Sequence, residues 1–502
     1  MLSKIRSLEA SCRDLDPGFE QRQKWVHQVV DHTEQFITGL EDDQSQAYRT
    51  NNKEGKGILE SPINDNPTPM EDLLQLFEEN VERCGLVESH GGHMAYINSG
   101  GVFPSALGDY LADVVNPYSA VFHDSPGSVR LENMVINWIG RTFGFPEGFA
   151  GNLTSGGSAS TILALATARD SKNVKAADFS RCVVYMTQIS HYCVEKALNT
   201  IGMREAVRRT IPTDKSTYKM NAEELKIMIE KDKNNGLIPF LVYATAGTTD
   251  LGSIDPLNEI ASIARQHSLW MHVDACYGGF FIMSNEAKPR FRGIERCDSL
   301  AVDPHKSLFI PYGCGCVIVR QGSKLKYSNA LNRPAFYLED SFKDEREDEP
   351  SPCHLSFELS RHFRGVRVWM PLKLFGLAPF RDALTEKILL ARYFHEQLAE
   401  RGDFQLGPYP ELSVVVFRYA KAPNDTEKFN KQLLDSLMRD GRVALASTRL
   451  RGVYYLRMCV LCFRTHLKEV DLLLEMVDKN VETYLKSVSK KPWESQQLYS
   501  RG

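Results

Sequence analysis

The feature that most constrains the fold is an alternation of short β-rich runs with helical segments between residues 131 and 320. The runs cover residues 182–186, 239–243, 269–273 and 316–319, and helical periodicity follows Ser158 and His191. Strands that alternate with helices form βαβ units. The pattern therefore predicts an α/β protein with a mostly parallel central sheet, in which ligands bind at the carboxyl ends of the strands.

A chain of 502 residues is too long for one small core, so we expect several domains. Residues 1–90 are polar, with amphipathic helical stretches at 23–40 and 70–84, and are expected to pack on a partner subunit. Residues 91–375 would form a large domain, residues 376–490 a smaller C-terminal α+β domain, and residues 491–502 a tail. The highly charged stretch 336–353 is typical of a mobile surface loop.

Composition argues against several classes of function. The net charge of −4 shows no basic excess, so nucleic acid is not an expected partner. The N-terminal residues lack the apolar region of a signal peptide, and no apolar run is long enough for a bilayer, so we expect a cytoplasmic protein without membrane contact. The eleven cysteines are an odd number, which predicts reduced thiols. The spacings Cys314/Cys316 and Cys459/Cys462 fall in strand-like runs, so we interpret them as core residues and expect no metal site.

Two motifs near the ends of predicted strands carry reactive side chains. Asp274 closes an apolar run in His-Val-Asp-Ala-Cys-Tyr-Gly-Gly (272–279). It would either cap a helix or pair with a protonated ring nitrogen. Lys306 ends Asp-Pro-His-Lys (303–306) and precedes Ser-Leu-Phe-Ile-Pro. A lone lysine is usually exposed, but desolvation in this apolar neighbourhood should lower the pKa of the amine and favour a nucleophile.

Two further features lie at helix starts. The run Leu-Thr-Ser-Gly-Gly-Ser-Ala (153–159) precedes an Ala/Leu-rich helical pattern, where backbone amides can approach a phosphate. It matches neither the Walker A nor the dinucleotide spacing, which argues against ATP and NAD. His191, at a strand-to-helix junction, would be structural or would stack on an aromatic ring. Phosphate cradle, stacking residue, ring-nitrogen partner and reactive lysine are the parts that a pyridoxal 5′-phosphate (PLP) site requires.

From about residue 91 to residue 464, the sequence resembles the group II pyridoxal-dependent decarboxylases, the enzymes of aromatic amino acids, histidine, glutamate and cysteine sulfinate. The motifs His-Val-Asp-Ala-Cys-Tyr and Asp-Pro-His-Lys, and the spacing from Asp274 to Lys306, carry the resemblance. It implies the PLP-dependent transferase fold type I and a homodimer with a shared active site. It also implies decarboxylation of an L-amino acid to its amine and CO₂.

The resemblance assigns roles to individual residues around the cofactor and the substrate. Around the cofactor these are Gly157 and Ser158 at the phosphate, His191 on the ring, Thr249 nearby, Asp274 at the ring nitrogen, Asp303 and His305 beside the reactive lysine, and Lys306 as the Schiff-base lysine. Ser99 and Tyr96 would contact the substrate together with His191. Tyr337 would return a proton to the substrate carbon, a role that His191 could also take.

The resemblance leaves the substrate open. Tyr96 stands where the aromatic enzymes carry tyrosine and the acidic enzymes tend to carry glutamine, which favours an aromatic substrate. An acidic amino acid is the alternative, with Arg333 and Arg451 as candidate partners of its second carboxylate. A PLP-dependent aldehyde synthase is a further alternative, although its loop tyrosine is typically phenylalanine. Cys276 replaces an alanine of many relatives and Asp303 an asparagine of the aromatic enzymes, and neither change removes a required chemical group.

Overall fold

The structure is a computed structural model that describes residues 1–42, 44–49, 54–330, 349–422 and 425–489, except for the side chains of residues 487–489. Most of the charged stretch 336–353, including Tyr337, lies outside the described residues. The prediction of a loop there stays a prediction.

Helices and strands alternate through most of the described chain. The strands are β1 (Tyr48–Arg49), β2 (Gly85–Leu86), β3 (Ala150–Thr154), β4 (Cys182–Met186), β5 (Val207–Thr210), β6 (Ile238–Thr245), β7 (Trp270–Asp274), β8 (Ser299–Val302), β9 (Gly315–Val319), β10 (Phe404–Leu406), β11 (Val414–Tyr419), β12 (Ala446–Leu450) and β13 (Val453–Cys459). The α-helices are α1 (Leu2–Cys12), α2 (Phe19–Gly39), α3 (Met70–Phe77), α4 (Phe103–Val115), α5 (Pro126–Thr142), α6 (Gly157–Ser171), α7 (Cys193–Thr200), α8 (Ala222–Asn234), α9 (Leu257–Gln266), α10 (Gly322–Asn329), α11 (Gly365–Phe375), α12 (Ala378–Arg401), α13 (Thr426–Asp440) and α14 (Leu467–Ser489).

The central sheet contains seven strands in the order β3-β9-β8-β7-β6-β4-β5. The five strands from β4 to β8 pair in parallel, whereas β9 runs antiparallel to both β3 and β8. Because β9 is antiparallel to both neighbours, β3 points the same way as β8. The carboxyl ends of all the strands except β9 therefore meet at one edge, and the predicted α/β fold with a mostly parallel sheet is confirmed.

Helices cover both faces of this sheet because its strands are apolar on both sides. In β6, Val242 and Ala244 belong to a core shared with α5, α8 and α9. The alternating residues Leu241 and Tyr243 belong to a second core, which α6 and α7 complete on the other face. All four side chains are fully buried. The continuous β-rich runs in the sequence are thus central strands, sandwiched between two layers of helices.

A second, smaller sheet lies in the C-terminal part of the chain, in the order β10-β11-β13-β12, with all pairings antiparallel. Phe394 of α12, Leu433 of α13 and Val477 of α14 pack on it in one core. This is the smaller α+β unit that the sequence predicts. The domain boundaries placed after residues 90, 375 and 490 stay predictions.

The N-terminal helices α1 and α2 are poorly buried. Neither α1 nor α2 contains a fully buried residue, and Leu2, Leu8 and Phe19 are exposed. A turn of π-helix, Glu78–Glu82, continues α3 through the second predicted amphipathic stretch. No helix among the described residues is long and apolar enough to cross a membrane.

Candidate active site

A cavity opens at the sheet edge where the carboxyl ends of β3, β4, β6, β7 and β8 meet. It is lined by Ser155, Gly156, Gly157, Ser158, Ala159, His191, Cys193, Thr245, Gly247, Thr249, Asp274, Cys276, Tyr277, Asp303, His305 and Lys306. All eight residues that the sequence predicts around a cofactor are in this set. Residues far apart in the chain are brought together because parallel strands end at the same edge.

Asp274, the last residue of β7, presents a buried carboxylate to the cavity. Its Oδ2 accepts a hydrogen bond from the Tyr243 hydroxyl at 2.8 Å, and its Oδ1 accepts one from the Cys276 amide at 3.0 Å. Burial by itself would raise the pKa of Asp274, but these bonds and the charge of Lys306 outweigh it and hold the pKa below its ordinary value. The group is therefore ionised at neutral pH, and its oxygens keep lone pairs for a further donor.

Lys306 lies in the turn that follows β8, with its Nζ 3.0 Å from Oδ2 of Asp303. The expectation of a lowered pKa is wrong. Burial does act to lower the pKa of Lys306, but Asp303, Cys276 and Asp274 together raise it above its ordinary value. The sequence argument weighed the apolar residues after the lysine and missed the carboxylates that the fold gathers around it.

His305 links this turn to the start of β9. Its Nδ1 lies 2.6 Å from the carbonyl oxygen of Cys314, and its Nε2 lies 3.6 Å from Oδ2 of Asp303. Burial lowers the pKa of His305, although the Asp303 carboxylate opposes that effect. The imidazole thus links the turn to the backbone just before β9.

The glycine-rich run forms the tight entry into α6. Gly156 has a φ of +153°, a backbone conformation that residues with side chains rarely adopt. A Cβ on Gly157 would overlap Sγ of Cys276 and lie 2.9 Å from Oδ2 of Asp303, so a larger residue there would displace these side chains. The free amides at the N-terminus of α6 can therefore reach an anion in the cavity, and the helix dipole favours that anion.

His191 and Thr249 complete the predicted set of cofactor residues. His191 is half-buried, and its Nδ1 lies 3.3 Å from the Cys193 amide. Burial is the largest cause that lowers the pKa of His191, so its imidazole is neutral at neutral pH. Thr249 lies on the segment after β6, and its carbonyl accepts hydrogen bonds from the guanidinium of Arg457 at 2.6 and 3.0 Å. That arginine belongs to β13, so the C-terminal unit braces this wall of the cavity.

Of the three predicted substrate residues, His191 lines the cavity, whereas Ser99 and Tyr96 do not. Ser99 is buried, and its hydroxyl donates to the carbonyl of Ile310 at 2.9 Å. Tyr96 is 56% exposed, with its ring 6.2 Å from that of His93. Their roles in substrate binding remain predictions. Tyr337 lies outside the described residues.

Of the two arginines predicted as partners of an acidic substrate, only Arg451 lies among the described residues. Arg451 donates hydrogen bonds to the carbonyls of Asp214 and Lys215, and its guanidinium lies 4.7 Å from the centre of the Tyr218 ring. It is not among the residues that line the cavity. Arg333 lies outside the described part of the chain.

Sequence reasoning missed several polar residues at or beneath the cavity. Tyr243 lies behind Asp274, and Thr245 and Cys193 line the wall. The Tyr277 hydroxyl lies 2.7 Å from Oγ of Ser413, in the C-terminal part of the chain. The available signal was a polar residue inside or just after an apolar run, and that signal also fits ordinary core residues.

A buried ion pair supports the strand that leads into the glycine-rich run. The side chains of Glu132 on α5 and Arg361 are both fully buried and form a salt bridge. Arg361 also donates to the carbonyl of Leu153 in β3 at 2.9 Å, and Glu132 accepts from the Gly365 amide at 3.0 Å. The end of β3, and with it the entry into α6, is thereby tied to the chain that follows residue 349.

The residues at the cavity fit PLP. The amides at the start of α6 suit its phosphate, the ionised Asp274 suits a protonated ring nitrogen, and the amine of Lys306 suits its aldehyde. Thr245 Oγ1 and Asp303 Oδ1 are buried and have no hydrogen-bond partner within the described chain. Such atoms are satisfied when a polar ligand fills the space beside them.

Known proteins with similar sequences agree with this chemistry. The pyridoxal-dependent decarboxylase conserved domain matches residues 53–420. An aromatic-L-amino-acid decarboxylase from Bacillus atrophaeus is 32% identical over 416 residues, which cover 82% of this chain and 85% of that protein. An acidic amino acid decarboxylase from Xenopus tropicalis is 29% identical over 442 residues, covering 84% and 85%.

A similar solved structure is that of Oryza sativa TDC with PLP and tryptamine, with a TM-score of 0.86 and 22% sequence identity. The match covers 93% of this chain and 99% of the solved one. At that identity the structural match supports the fold, while the family rests on the sequence matches. The chain therefore belongs to the pyridoxal-dependent decarboxylase family and is a carboxy-lyase that uses pyridoxal 5′-phosphate to decarboxylate an amino acid.

Proposed function

We propose that the enzyme decarboxylates an aromatic L-amino acid to its amine and CO₂. The observation that carries this choice is the charge of the cavity wall. Among the described residues that line the cavity, Lys306 is the only lysine and none is an arginine. A second substrate carboxylate calls for a cationic partner, and arginine is the residue best suited to it. Arg451, the described candidate for that partner, is bound elsewhere.

We assign the cofactor contacts as follows. Lys306 holds the cofactor covalently, Asp274 pairs with its ring nitrogen, and His191 stacks on its ring. Gly157 and Ser158 bind its phosphate, and Thr249 lies beside it, while Asp303 and His305 hold the turn that carries Lys306. When bound, PLP supplies an electron sink for the electron pair that remains when CO₂ leaves.

The proton chemistry falls to residues of the chain. The low pKa of Asp274 keeps its carboxylate ionised at neutral pH, so it can accept a hydrogen bond from a protonated ring nitrogen. We propose that Tyr337 returns a proton to the substrate carbon, with His191 as the other candidate. Ser99 would bind the substrate carboxylate and Tyr96 would contact its aromatic side chain.

We also propose a homodimer with a shared active site. The exposed face of α4 supports it, since its apolar residues recur at helical spacing and are 45% to 70% exposed. They are Leu107, Tyr110, Leu111, Val114 and Val115. The opposite face of α4 packs on α11, so this apolar stripe is left for another surface. The exposed helices α1 and α2 would pack on the same partner subunit.

The dimer can be tested by sedimentation velocity. The double variant Leu111→Glu/Val114→Glu should sediment as a monomer, whereas the wild type sediments as a dimer. Ile227→Glu is the matched control, because Ile227 is 55% exposed on α8 and lies away from this stripe. A wild type that is monomeric and active, or a double variant that stays dimeric, would refute the assignment.

We further propose a cytoplasmic location, supported by the odd number of cysteines, eleven, because reduced thiols are typical of that compartment. The proposed division of the chain is a helical segment 1–90, a large domain 91–375, a small domain 376–490 and a tail. Limited proteolysis with mass spectrometry would test these boundaries.

Substrate class is best tested by CO₂ release at saturating PLP. Tryptophan, tyrosine, phenylalanine and DOPA would be compared with glutamate, aspartate and cysteine sulfinate, and products identified by mass spectrometry. We expect kcat/KM for the best aromatic substrate to exceed that for every acidic one at least about tenfold, which is a difference of roughly 1.4 kcal/mol. A preference for acidic substrates would reverse the substrate assignment. An aldehyde as the main product would identify an aldehyde synthase instead.

A further inference from the structure

A tyrosine buried in the central sheet directly contacts the carboxylate of Asp274. Tyr243 is fully buried in β6, and its hydroxyl lies 2.8 Å from Oδ2 of Asp274 in the neighbouring parallel strand β7. In the strand register Tyr243 lies opposite His272, and Thr245 lies opposite Asp274. The Tyr243 side chain therefore reaches two residue pairs along the sheet to contact Asp274.

The direction of this hydrogen bond follows from charge. An ionised carboxylate can only accept, so the single phenolic proton of Tyr243 must point at Asp274. The Cys193 thiol lies 3.4 Å from the same phenolic oxygen. Because the phenolic proton is already engaged, the thiol can contribute only as a donor to that oxygen. The Tyr243 hydroxyl thus acts as donor toward Asp274 and as acceptor toward Cys193.

We infer that Tyr243 is a positioning residue that orients Asp274 for the cofactor. The phenol occupies one lone pair of Oδ2, and the Cys276 amide occupies one of Oδ1. The remaining lone pairs are then the ones available to a donor in the cavity. This inference rests on the proposed role of Asp274 as partner of the ring nitrogen.

Other ionisable groups also act on Asp274, and the effect of Tyr243 must be separated from theirs. They are His191 and Cys193 after β4, His272 and Cys276 on the same strand and its extension, and Lys306 after β8, itself paired with Asp303. Among these, Lys306 is the nearby cation, and Tyr243 contributes a neutral donor. Removal of the phenol therefore leaves the charge of the site unchanged and takes away one hydrogen bond.

The sign of the expected effect follows from that loss. A hydrogen bond donated to the carboxylate favours its ionised form, so the pKa of Asp274 should rise when the donor is removed. A hydrogen bond to a charged group corresponds to a shift of about one to two pKa units. The ionised carboxylate, present above its pKa, would then be lost at a higher pH as the solution is acidified.

The test compares Tyr243→Phe with Tyr185→Phe. Tyr185 is a matched control, since it is fully buried in the neighbouring strand β4 and donates to the Asp232 carboxylate at 3.1 Å, away from the cavity. Arg209 also binds Asp232, so that carboxylate keeps a partner in the variant. Both substitutions retain the aromatic ring and remove one buried hydroxyl.

Three quantities would be measured for each purified variant: the pH profile of kcat, the Kd of the apoenzyme for PLP, and the thermal midpoint. For Tyr243→Phe we expect the acid limb of kcat to move up by about one unit or more, and PLP to bind about tenfold more weakly at a pH on that acid limb. KM for the amino acid should change little. Tyr185→Phe should lower the thermal midpoint and leave the acid limb and the PLP affinity unchanged.

An acid limb and a PLP affinity equal to those of Tyr185→Phe would overturn the inference. Asp274→Ala, measured in the same assays, distinguishes failure of the positioning role of Tyr243 from failure of the proposed role of Asp274. If Asp274→Ala is impaired while Tyr243→Phe is not, the positioning role alone fails. If Asp274→Ala also retains wild-type turnover with PLP bound, the proposed role of Asp274 fails with it.

Discussion

Replacing Asp274 with alanine should slow decarboxylation by between about ten- and a thousandfold at neutral pH. An opposite charge within a few ångströms shifts the pKa of its partner by about one to three units, and each unit corresponds to a factor of ten. Without the carboxylate, the ring nitrogen of the cofactor would lose that support and would be largely unprotonated. The carboxylate is buried and held by Tyr243 and the Cys276 amide, so the substitution removes a charge with a fixed position.

The same substitution has a separate cost in stability. It leaves the buried Tyr243 hydroxyl without its acceptor, which costs about 1 to 3 kcal/mol. Asp274→Asn separates the two effects, because the amide oxygen can still accept from Tyr243 while the charge is gone. We expect Asp274→Asn to lose as much rate as the alanine variant and less stability. Asp274→Glu, which keeps the charge at a different reach, should be the mildest of the three.

The assay is CO₂ release under single-turnover conditions at saturating PLP, with cofactor content determined by absorbance and stability by urea unfolding. PLP must be saturating because a variant that only binds PLP more weakly would otherwise also show a lower rate of CO₂ release. Turnover of Asp274→Ala within about threefold of the wild type, with cofactor bound, would refute the assignment of Asp274 to the ring nitrogen.

Three further predictions concern other residues. Lys306→Ala should abolish turnover and covalent cofactor attachment, and borohydride reduction of the wild type followed by peptide mapping should place the pyridoxyl group on Lys306 and on no other lysine. Tyr337→Phe should bind PLP and substrate normally but, in air-saturated buffer, release aldehyde, ammonia and peroxide in place of part of the amine, with dissolved oxygen as the two-electron oxidant and water as the source of the aldehyde oxygen; amine at the wild-type rate without aldehyde would exclude Tyr337 as proton donor. Arg361→Leu should lower the free energy of unfolding by about 3 to 5 kcal/mol in urea titrations, because it leaves Glu132 buried without its cation; a loss below about 1 kcal/mol would contradict this.

The parts of the site that lie on contiguous motifs were predictable from sequence. Asp274 ends one short apolar run and Lys306 lies in the motif that follows another, and the rule that ligands bind at strand ends brings the two together. The hydrogen bond between Tyr243 and Asp274 could not be predicted, because a tyrosine in an apolar strand also fits a plain core residue. The pairing of Arg361 with Glu132 joins residues 229 apart in the chain, and no local sequence pattern predicts it.

The antiparallel direction of β9 also could not be predicted from the sequence pattern. An apolar run such as β9 looks the same whether it runs with its neighbours or against them, since both faces are covered by helices. The pKa of Lys306 was mispredicted for a related reason. Burial could be estimated from the residues that follow it, but the raising effect of Asp303 and Asp274 depends on the assembled sheet edge.

The position of β3 at the edge of the central sheet has a consequence for the order of folding. Its pairing partner in that sheet is β9, and Thr154 pairs with Gly315, so almost the whole sheet lies between the two in the chain. Contacts between such distant segments form slowly, because a long loop must be closed first. The strands that precede or carry Lys306 and Asp274, β8 and β7, can pair earlier, with closer neighbours. A chain still under synthesis therefore exposes β3 until β9 has emerged, and the phosphate cradle behind it is completed later than the sheet edge around Asp274 and Lys306.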